Sequence, residues 1–278
     1  MKRSFFITGT IAAIIGLTSC GSKKTEIKLS GSNTMAPIAG AWAEAFTDAK
    51  VSAAGGGSGI GIKELIAGRI QICASSRKMK DTEKAEAKEK QGKEVKEFMV
   101  GYDALALFVH PSNPVTQISV EQLKEVYGEG GKITKWDDIP GSQAGAIMVL
   151  GRESTSGTYE YFQETVVGKE GKFRNDVAAQ SSSQAIIDQL ATVKNAIGYD
   201  GMAFKNDKVK WLALSKKTGE PAVLPGIDDA RSGKYPLARP LFLYTLGEPE
   251  GDVKKFIDFA LSDEGQKLLS KSGAVSLK

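Results

Sequence analysis

The chain has 278 residues, 41% of them hydrophobic and 25% charged, with 31 glycines, 9 prolines, 2 cysteines and a single histidine. Such proportions belong to a folded chain with one or two cores, long enough for two lobes, and not to a disordered, collagenous or disulfide-stapled one. One histidine, His110, and two cysteines cannot build an ordinary structural zinc site, and a Ser-His-Asp hydrolase would have to rely on that one imidazole. The formal charge of +4 is mild, and no Lys/Arg block interleaved with aromatics occurs, which argues against nucleic acid as a partner.

Lys2 and Arg3 precede an apolar stretch over residues 5–17, too short to span a bilayer, and small residues follow: the pattern of a secretory signal. It closes with Leu17-Thr18-Ser19-Cys20, the spacing of a bacterial lipobox. Residues 1–19 are therefore read as a cleaved leader, Cys20 as the lipidated first mature residue and residues 20–25 as a polar tether. Acyl chains on Cys20 hold a domain at a membrane face without a transmembrane helix, each buried methylene contributing about 0.8 kcal/mol. Cys73 then has no disulfide partner, and its place in an apolar run predicts a buried small hydrophobe.

From Glu26 onward the predicted elements alternate: a strand at 27–29, a helix from 36 to about 49, a strand at 51–54, a helix from about 60, and a strand at 70–74. Such β-α-β-α-β order implies a mostly parallel sheet with crossover helices, so the fold class is α/β. Residues 78–96 carry glutamates and lysines spaced to pair along a solvated helix. The longest apolar strand, 98–109, has its comparable mate at 237–246. Between them come a helix at 120–127, a strand at 146–150, helices at 159–167 and 184–193, and strands at 196–199 and 209–214. A single amphipathic helix over 252–270 closes the chain, with Val253, Phe256, Ile257, Ala260, Leu261, Leu268 and Leu269 as its stripe. The chain leaves one lobe (residues 26–107 and 238–278), builds another (108–237) and returns, the two long strands serving as a hinge.

Three times a strand ends in a small polar cluster before a helix: Ser30-Gly31-Ser32-Asn33-Thr34-Met35, Gly55-Gly56-Gly57-Ser58-Gly59, and Gly151-Arg152-Glu153-Ser154-Thr155-Ser156-Gly157-Thr158. Helix N-termini offer unpaired N–H groups and glycine permits close approach, so each cluster can cradle an oxyanion, although alone each is equally an N-cap and turn. Two fall in the first lobe and one in the second, where a cleft could close on one ligand. Nucleotide and hydrolase motifs are missing: Gly57 to Gly61 does not fit G-x-G-x-x-G, Gly131-Lys132 is followed by Ile133, and Gly56-Gly57-Ser58-Gly59-Ile60 lacks the last glycine of a nucleophile elbow. An anion is bound without being cut.

With these segments the chain resembles the phosphate-binding proteins of the bacterial high-affinity phosphate ABC transporter, from about Lys28 to Leu277. The pieces that carry the resemblance are GSNTMAP (31–37), GGGSGIGIKEL (55–65), KITKWDDI (132–139), GRESTSGTYEYF (151–162), AIGYDGMAF (196–204) and YPLARPLFLYT (235–245). The resemblance implies a two-lobed periplasmic-binding-protein fold (type II, venus-flytrap) with a two-strand hinge. It further implies a monomer without cofactor or metal, not an enzyme, which encloses inorganic phosphate and delivers it to the transmembrane subunits of an ABC permease. The lipid anchor at Cys20 would hold it on the outer face or periplasmic side of the cell membrane.

Carried over by position, the resemblance places Thr34 and Met35 at the first anion loop, Ser58 at the second, and Arg152, Ser156, Gly157 and Thr158 at the third. The hydroxyls can donate to phosphate oxygens, Gly157 can present its N–H, and Arg152 offers a planar fork, unless it forms a surface ion pair with Glu153 or Glu160. One departure concerns Ala74-Ser75-Ser76-Arg77, where Ser76 stands in place of the aspartate that in many members accepts the proton of hydrogen phosphate and so rejects sulfate. Ser76 can still hydrogen-bond the ligand, and Asp103 at the start of the hinge strand is the candidate substitute acceptor, or else a structural cap. Alternatives are another oxyanion such as sulfate or molybdate, a secreted phosphatase-like enzyme, or a surface adhesin on the same fold. His110 is read as structural or exposed, and Trp136 as a packing residue.

Overall fold

The computed structural model describes residues 26–142 and 145–278, so the leader, Cys20 and the tether lie outside the described residues. Strands β1 (Glu26–Gly31), β2 (Lys50–Ala54) and β3 (Ile72–Ser75) run parallel in the order β2-β1-β3. Their crossovers are α1 (Ala36–Ala45) and α2 (Ser58–Ile66). Pro37 sits in the first turn of α1, where a missing N–H costs nothing. The helix stops at Ala45, short of the expected 49, because Phe46 turns to an extended conformation and packs on Phe256 and Phe259 at 5.3 and 5.6 Å. The charged stretch forms α3 (Asp81–Gln91), in which Ala87 is the buried residue and Gly92 adopts the left-handed conformation that ends the helix.

β4 (Val95–Val109) then crosses the molecule and pairs antiparallel with β11 (Ala238–Leu246). Together they join the parallel strands to β6 (Met148–Arg152), β7 (Ala178–Gln180) and β8 (Ala196–Gly201) in a sheet whose eight-strand path is β2-β1-β3-β11-β4-β8-β6-β7, with a ninth strand beside β4. The strand expected at 209–214 is two pieces. β9 (Lys210–Trp211) pairs with β4, whereas β10 (Ala213–Ser215) joins β5 (Gln117–Ser119) in a separate two-stranded sheet. Leu212 between them is buried and donates its N–H to Leu107 O, which turns the chain from one sheet to the other. Helix α4 (Val120–Tyr127) lies where its periodicity placed it, closed by a Ser119/Gln122 capping box. α5 (Gly157–Phe162) runs into one π-helical turn at Gln163–Val167, and α6 (Ser183–Leu190) and α7 (Ile227–Arg231) complete this half.

Two main hydrophobic cores result, in a two-lobed α/β fold, with a smaller third cluster around Ile62, Leu65, Cys73 and Tyr244. Val100 and Leu241 belong to the core containing Ile27, Leu29, Ile38 and Trp42. Ala104 to Val109 and Leu237 belong to the one containing Leu123, Tyr127, Trp136 and Tyr199. The crossing strands thus change core within a few residues, and Asp103 faces Arg239 in the pairing register at that point. Trp136 packs as expected and donates its indole N–H to Asn195 O. His110 accepts from or donates to Ser112 Oγ at 2.7 Å in the turn after β4. Cys73 is fully buried, and burial pushes its thiol well up. No helix among the described residues is long and apolar enough to cross a membrane.

The single terminal helix is in fact two, α8 (Gly251–Leu261) and α9 (Asp263–Lys271). Ser262 breaks it, since its hydroxyl accepts the Gly265 N–H at 3.2 Å and donates to Phe259 O at 2.7 Å. Gln266 fixes the corner by donating to Val100 O and Ala260 O, each at 2.9 Å. A Cβ on Gly265 would lie 2.1 Å from Phe259 O. Gly265→Ala is therefore expected to destabilise the protein by about 2 kcal/mol, read as a melting temperature lowered by roughly 4–8 °C.

Candidate functional site

The three polar clusters do follow β1, β2 and β6, and the fold brings them to one place. Gly57 N–H donates to Gly31 O at 2.8 Å, which ties the first two loops together, and Gly59 N–H donates to Thr155 O at 3.2 Å, which ties them to the third. Gly57 sits at φ 117°, and a Cβ there would lie 2.7 Å from Thr155 O, so both backbone conformation and space require glycine.

At this meeting point six hydroxyl side chains are buried: Ser32, Thr34, Ser58, Ser76, Ser156 and Thr158. Ser32 Oγ donates to Ser76 Oγ at 3.0 Å, and Ser76 lies 3.4 Å from Ser58 Oγ. Thr34 Oγ1 and Thr158 Oγ1, from opposite halves of the molecule, are 3.1 Å apart. Ser156 accepts the Thr158 N–H as the N-cap of α5. Gly157 seats the third loop on the other two: a Cβ there would fall 2.3 Å from Ser58 Oγ and 2.9 Å from Ser76 Oγ. Hydroxyls buried against one another satisfy only part of their donor capacity, and the chemistry they are suited to is donation to a shared acceptor.

Charge reaches the cluster from the crossing strands. Arg239, which is fully buried, donates from Nε and Nη2 to Asp103 Oδ2 at 3.1 and 2.8 Å. Its Nη2 also donates to Thr34 Oγ1 at 3.2 Å and to Thr158 Oγ1 at 3.1 Å. Burial pushes the Asp103 carboxyl above its ordinary value, Arg239 opposes that rise, and nearby Asp200 adds to it.

Arg152 is not at the surface and pairs with neither Glu153 nor Glu160. It is 2% exposed and donates to Asp200 Oδ2 at 2.8 Å and Ser183 Oγ at 2.9 Å from Nη1, to Gln180 O at 3.4 Å from Nε, and to Ser181 O at 3.5 Å from Nη2. Glu160 is instead in contact with Arg77 Nε and lies 3.6 Å from Lys80 Nζ, so this carboxylate bridges α5 to the loop after β3. Burial pushes the Glu160 carboxyl up against the pull of both cations. Arg77 also grips Glu83 bidentately at 2.8 and 2.7 Å.

Of the residues expected at the site, Thr34, Ser58, Ser76, Asp103, Ser156, Gly157 and Thr158 come together. The Met35 side chain packs into the core beside Ile38, its N–H closing a turn on Ser32 O at 3.1 Å, and the Arg152 guanidinium is directed to Asp200. Arg239 was not singled out beforehand, nor was Ser32. The available signal was a lone cation inside an otherwise apolar strand, since such a residue is buried only when paired.

The PBP superfamily domain matches residues 18–264 of the chain. The phosphate-binding protein PstS of Pseudomonas aeruginosa is 32% identical over 264 residues, which cover 89% of this chain and 81% of that one. The phosphate-binding protein PstS of Staphylococcus aureus is 32% identical over 300 residues, covering 99% and 89%. Among solved structures, one with bound phosphate from Clostridium perfringens, described as a phosphate ABC transporter substrate-binding protein, superposes with a TM-score of 0.81 at 31% identity and covers 91% of this chain and 100% of that one. The chain belongs to the PBP superfamily and, within it, to the family of the phosphate-binding protein PstS.

Proposed function

We propose that the chain binds inorganic phosphate between two lobes, residues 26–107 with 238–278 and residues 108–237, and hands it to the transmembrane subunits of an ABC permease. The observation that carries this reading is the convergence of buried hydroxyls from both halves, with Thr34 and Thr158 3.1 Å apart and Gly157 seated on Ser58 and Ser76. A tetrahedral oxyanion is acceptor-rich, and the hydroxyls of Thr34, Ser58, Ser76, Ser156 and Thr158, with the N–H group of Gly157, supply donors around it. Closure excludes water, so these bonds stabilise a dianion whose burial would otherwise be very costly. Arg152 holds the third loop in position through Asp200 and Ser183. Asp103 accepts the proton of hydrogen phosphate in place of the aspartate absent at Ser76, and sulfate has no proton to offer; discrimination of this kind reaches roughly 10⁴–10⁵.

The relatives' names and the phosphate held by the Clostridium perfringens structure support this reading over other oxyanions and over an enzyme. The leader at residues 1–19 directs export, and lipidation of Cys20 anchors the monomer to the outer face or periplasmic side of the cell membrane.

Calorimetric titration of the ligand-stripped protein is expected to show binding of phosphate and arsenate but not of sulfate; no heat and no thermal stabilisation with phosphate would refute the reading. Gly157→Ala forces a methyl between Ser58 and Ser76 and is expected to weaken phosphate binding by about ten- to a hundredfold in calorimetric titration. Asp103 accepts a proton only as the carboxylate, so affinity should fall as pH is lowered through its value. Because burial raises that value, the fall should begin at higher pH than an exposed aspartate would give, and it should be absent in Asp103→Asn.

A further inference from the structure

We propose that Arg77 and Glu160 form a latch between the two halves that sets how long the anion is held, without meeting the anion themselves. The inference rests on the phosphate reading above and adds to it two positioning residues outside the hydroxyl cluster.

The first ground is the half to which each partner belongs. Arg77 follows β3 and grips Glu83, six positions on, at 2.8 and 2.7 Å through Nη1 and Nη2, and its Nη1 also donates to Lys78 O at 3.0 Å. Ser75 Oγ fixes the same turn by donating to Arg77 O at 2.8 Å and accepting the Arg77 N–H at 3.3 Å. These partners all lie between residues 75 and 83, so they stay with Arg77 however the halves are arranged. Nε is what remains, and it meets Glu160 on α5, in the other half. The guanidinium is thus fixed from within one half and turns one N–H to the other, a donor organised before its acceptor arrives.

The second ground is coupling to the site. Gly157 and Glu160 stand three positions apart on α5 and so share a face. Gly157 seats on Ser58 and Ser76, and the docking that completes the hydroxyl cluster therefore also brings Glu160 onto Arg77. Ser58 and Ser76 are fully buried and Thr158 nearly so, which means that an anion seated among them can leave only when α5 draws back. Drawing back breaks the contact of Arg77 with Glu160 and leaves its pair with Glu83 intact.

The third ground is strength. Arg77 Nε and Glu160 Oε2 are both shielded from water, and a charge-assisted hydrogen bond in that setting outweighs an exposed ion pair. Lys80 Nζ, 3.6 Å from the other Glu160 oxygen, is half exposed and adds little. Asn33 Nδ2 to Ser181 O, also between the halves, is an exposed neutral bond of 3.3 Å. Every nitrogen of Arg77 is engaged by a protein oxygen, so the latch acts alike on whichever anion is enclosed. It lengthens retention and leaves the choice of anion untouched.

The test is release of radiolabelled phosphate into excess unlabelled phosphate from wild type, Glu160→Gln, Arg77→Gln and the double variant, with calorimetric titration of the ligand-stripped proteins by phosphate and arsenate alongside. Glu160→Gln keeps the shape and removes the charge. It is expected to release phosphate about tenfold faster than wild type, with the association rate within about twofold and the ratio of phosphate to arsenate affinity unchanged. In the Arg77→Gln background the same substitution should speed release by less than about twofold, because its partner is gone. If Arg77→Gln lacks a cooperative melting transition, nuclear magnetic resonance of the Arg77 Nε–H takes its place: this proton should be protected from exchange with water in phosphate-bound wild type and exchange readily in phosphate-bound Glu160→Gln. Release unchanged by Glu160→Gln, the full effect persisting without Arg77, an Nε–H equally protected in both proteins, or an altered ratio of phosphate to arsenate affinity each overturns the latch. Failure of the wild type to bind phosphate overturns the reading beneath it instead.

Discussion

The antiparallel register of β4 with β11 ties two separately packed halves together and sets Asp103 opposite Arg239 in the narrow zone between their cores. Neither residue can exchange its partner for water there, since both are buried. Removing one member of such a pair typically costs about 3–5 kcal/mol, yet a well-packed apolar substitute for both is often no less stable. Stability alone therefore does not account for an ion pair at this position. Its location does: the pair lies where the crossing strands pass between the two cores, and its cation already touches a threonine from each half.

Around that pair the molecule handles charge locally. In two buried Arg–Asp pairs beside the hydroxyl cluster, Arg239 with Asp103 and Arg152 with Asp200, opposite charges offset each other at long range. What faces the cluster is then short-range: hydroxyl dipoles, backbone N–H groups and the guanidinium of Arg239. The contacts that bridge the halves at the rim are modest by comparison. They comprise Asn33 Nδ2 to Ser181 O at 3.3 Å, the Gly59 N–H on Thr155 O, and the Glu160 carboxylate with Arg77 and Lys80. The Lys80 contact is half exposed and contributes little, whereas Arg77 and Glu160 meet through atoms shielded from water.

Much of this was legible beforehand, for reasons that are local. The helix at 120–127, the alternation of short apolar runs with helical periods, and the glycine-rich helix starts all depend on neighbours within a few positions. The misplacements are equally physical. The apolar stripe of 252–270 continues through Ser262, so periodicity reads one helix, while the Ser262 cap and the crowding at Gly265 make two. Residues 209–214 read as one strand because nothing in six residues says that Trp211 pairs with Phe108 and Ala213 with Gln117. Arg152 carried the right chemistry, but its partner Asp200 is 48 positions away. Arg239 finds its meaning only through Asp103, Thr34 and Thr158, all brought to it by tertiary structure.

Cys73 sits under Ile62, Leu65 and Tyr244 with its thiol held firmly protonated. Thiolate is the species that attacks disulfides and metals and is most readily oxidised, so the folded chain presents no reactive sulfur from this residue. An oxidising compartment would therefore draw no mixed disulfide or redox-driven dimer from Cys73. The packing under β3 thus doubles as chemical insulation for this thiol.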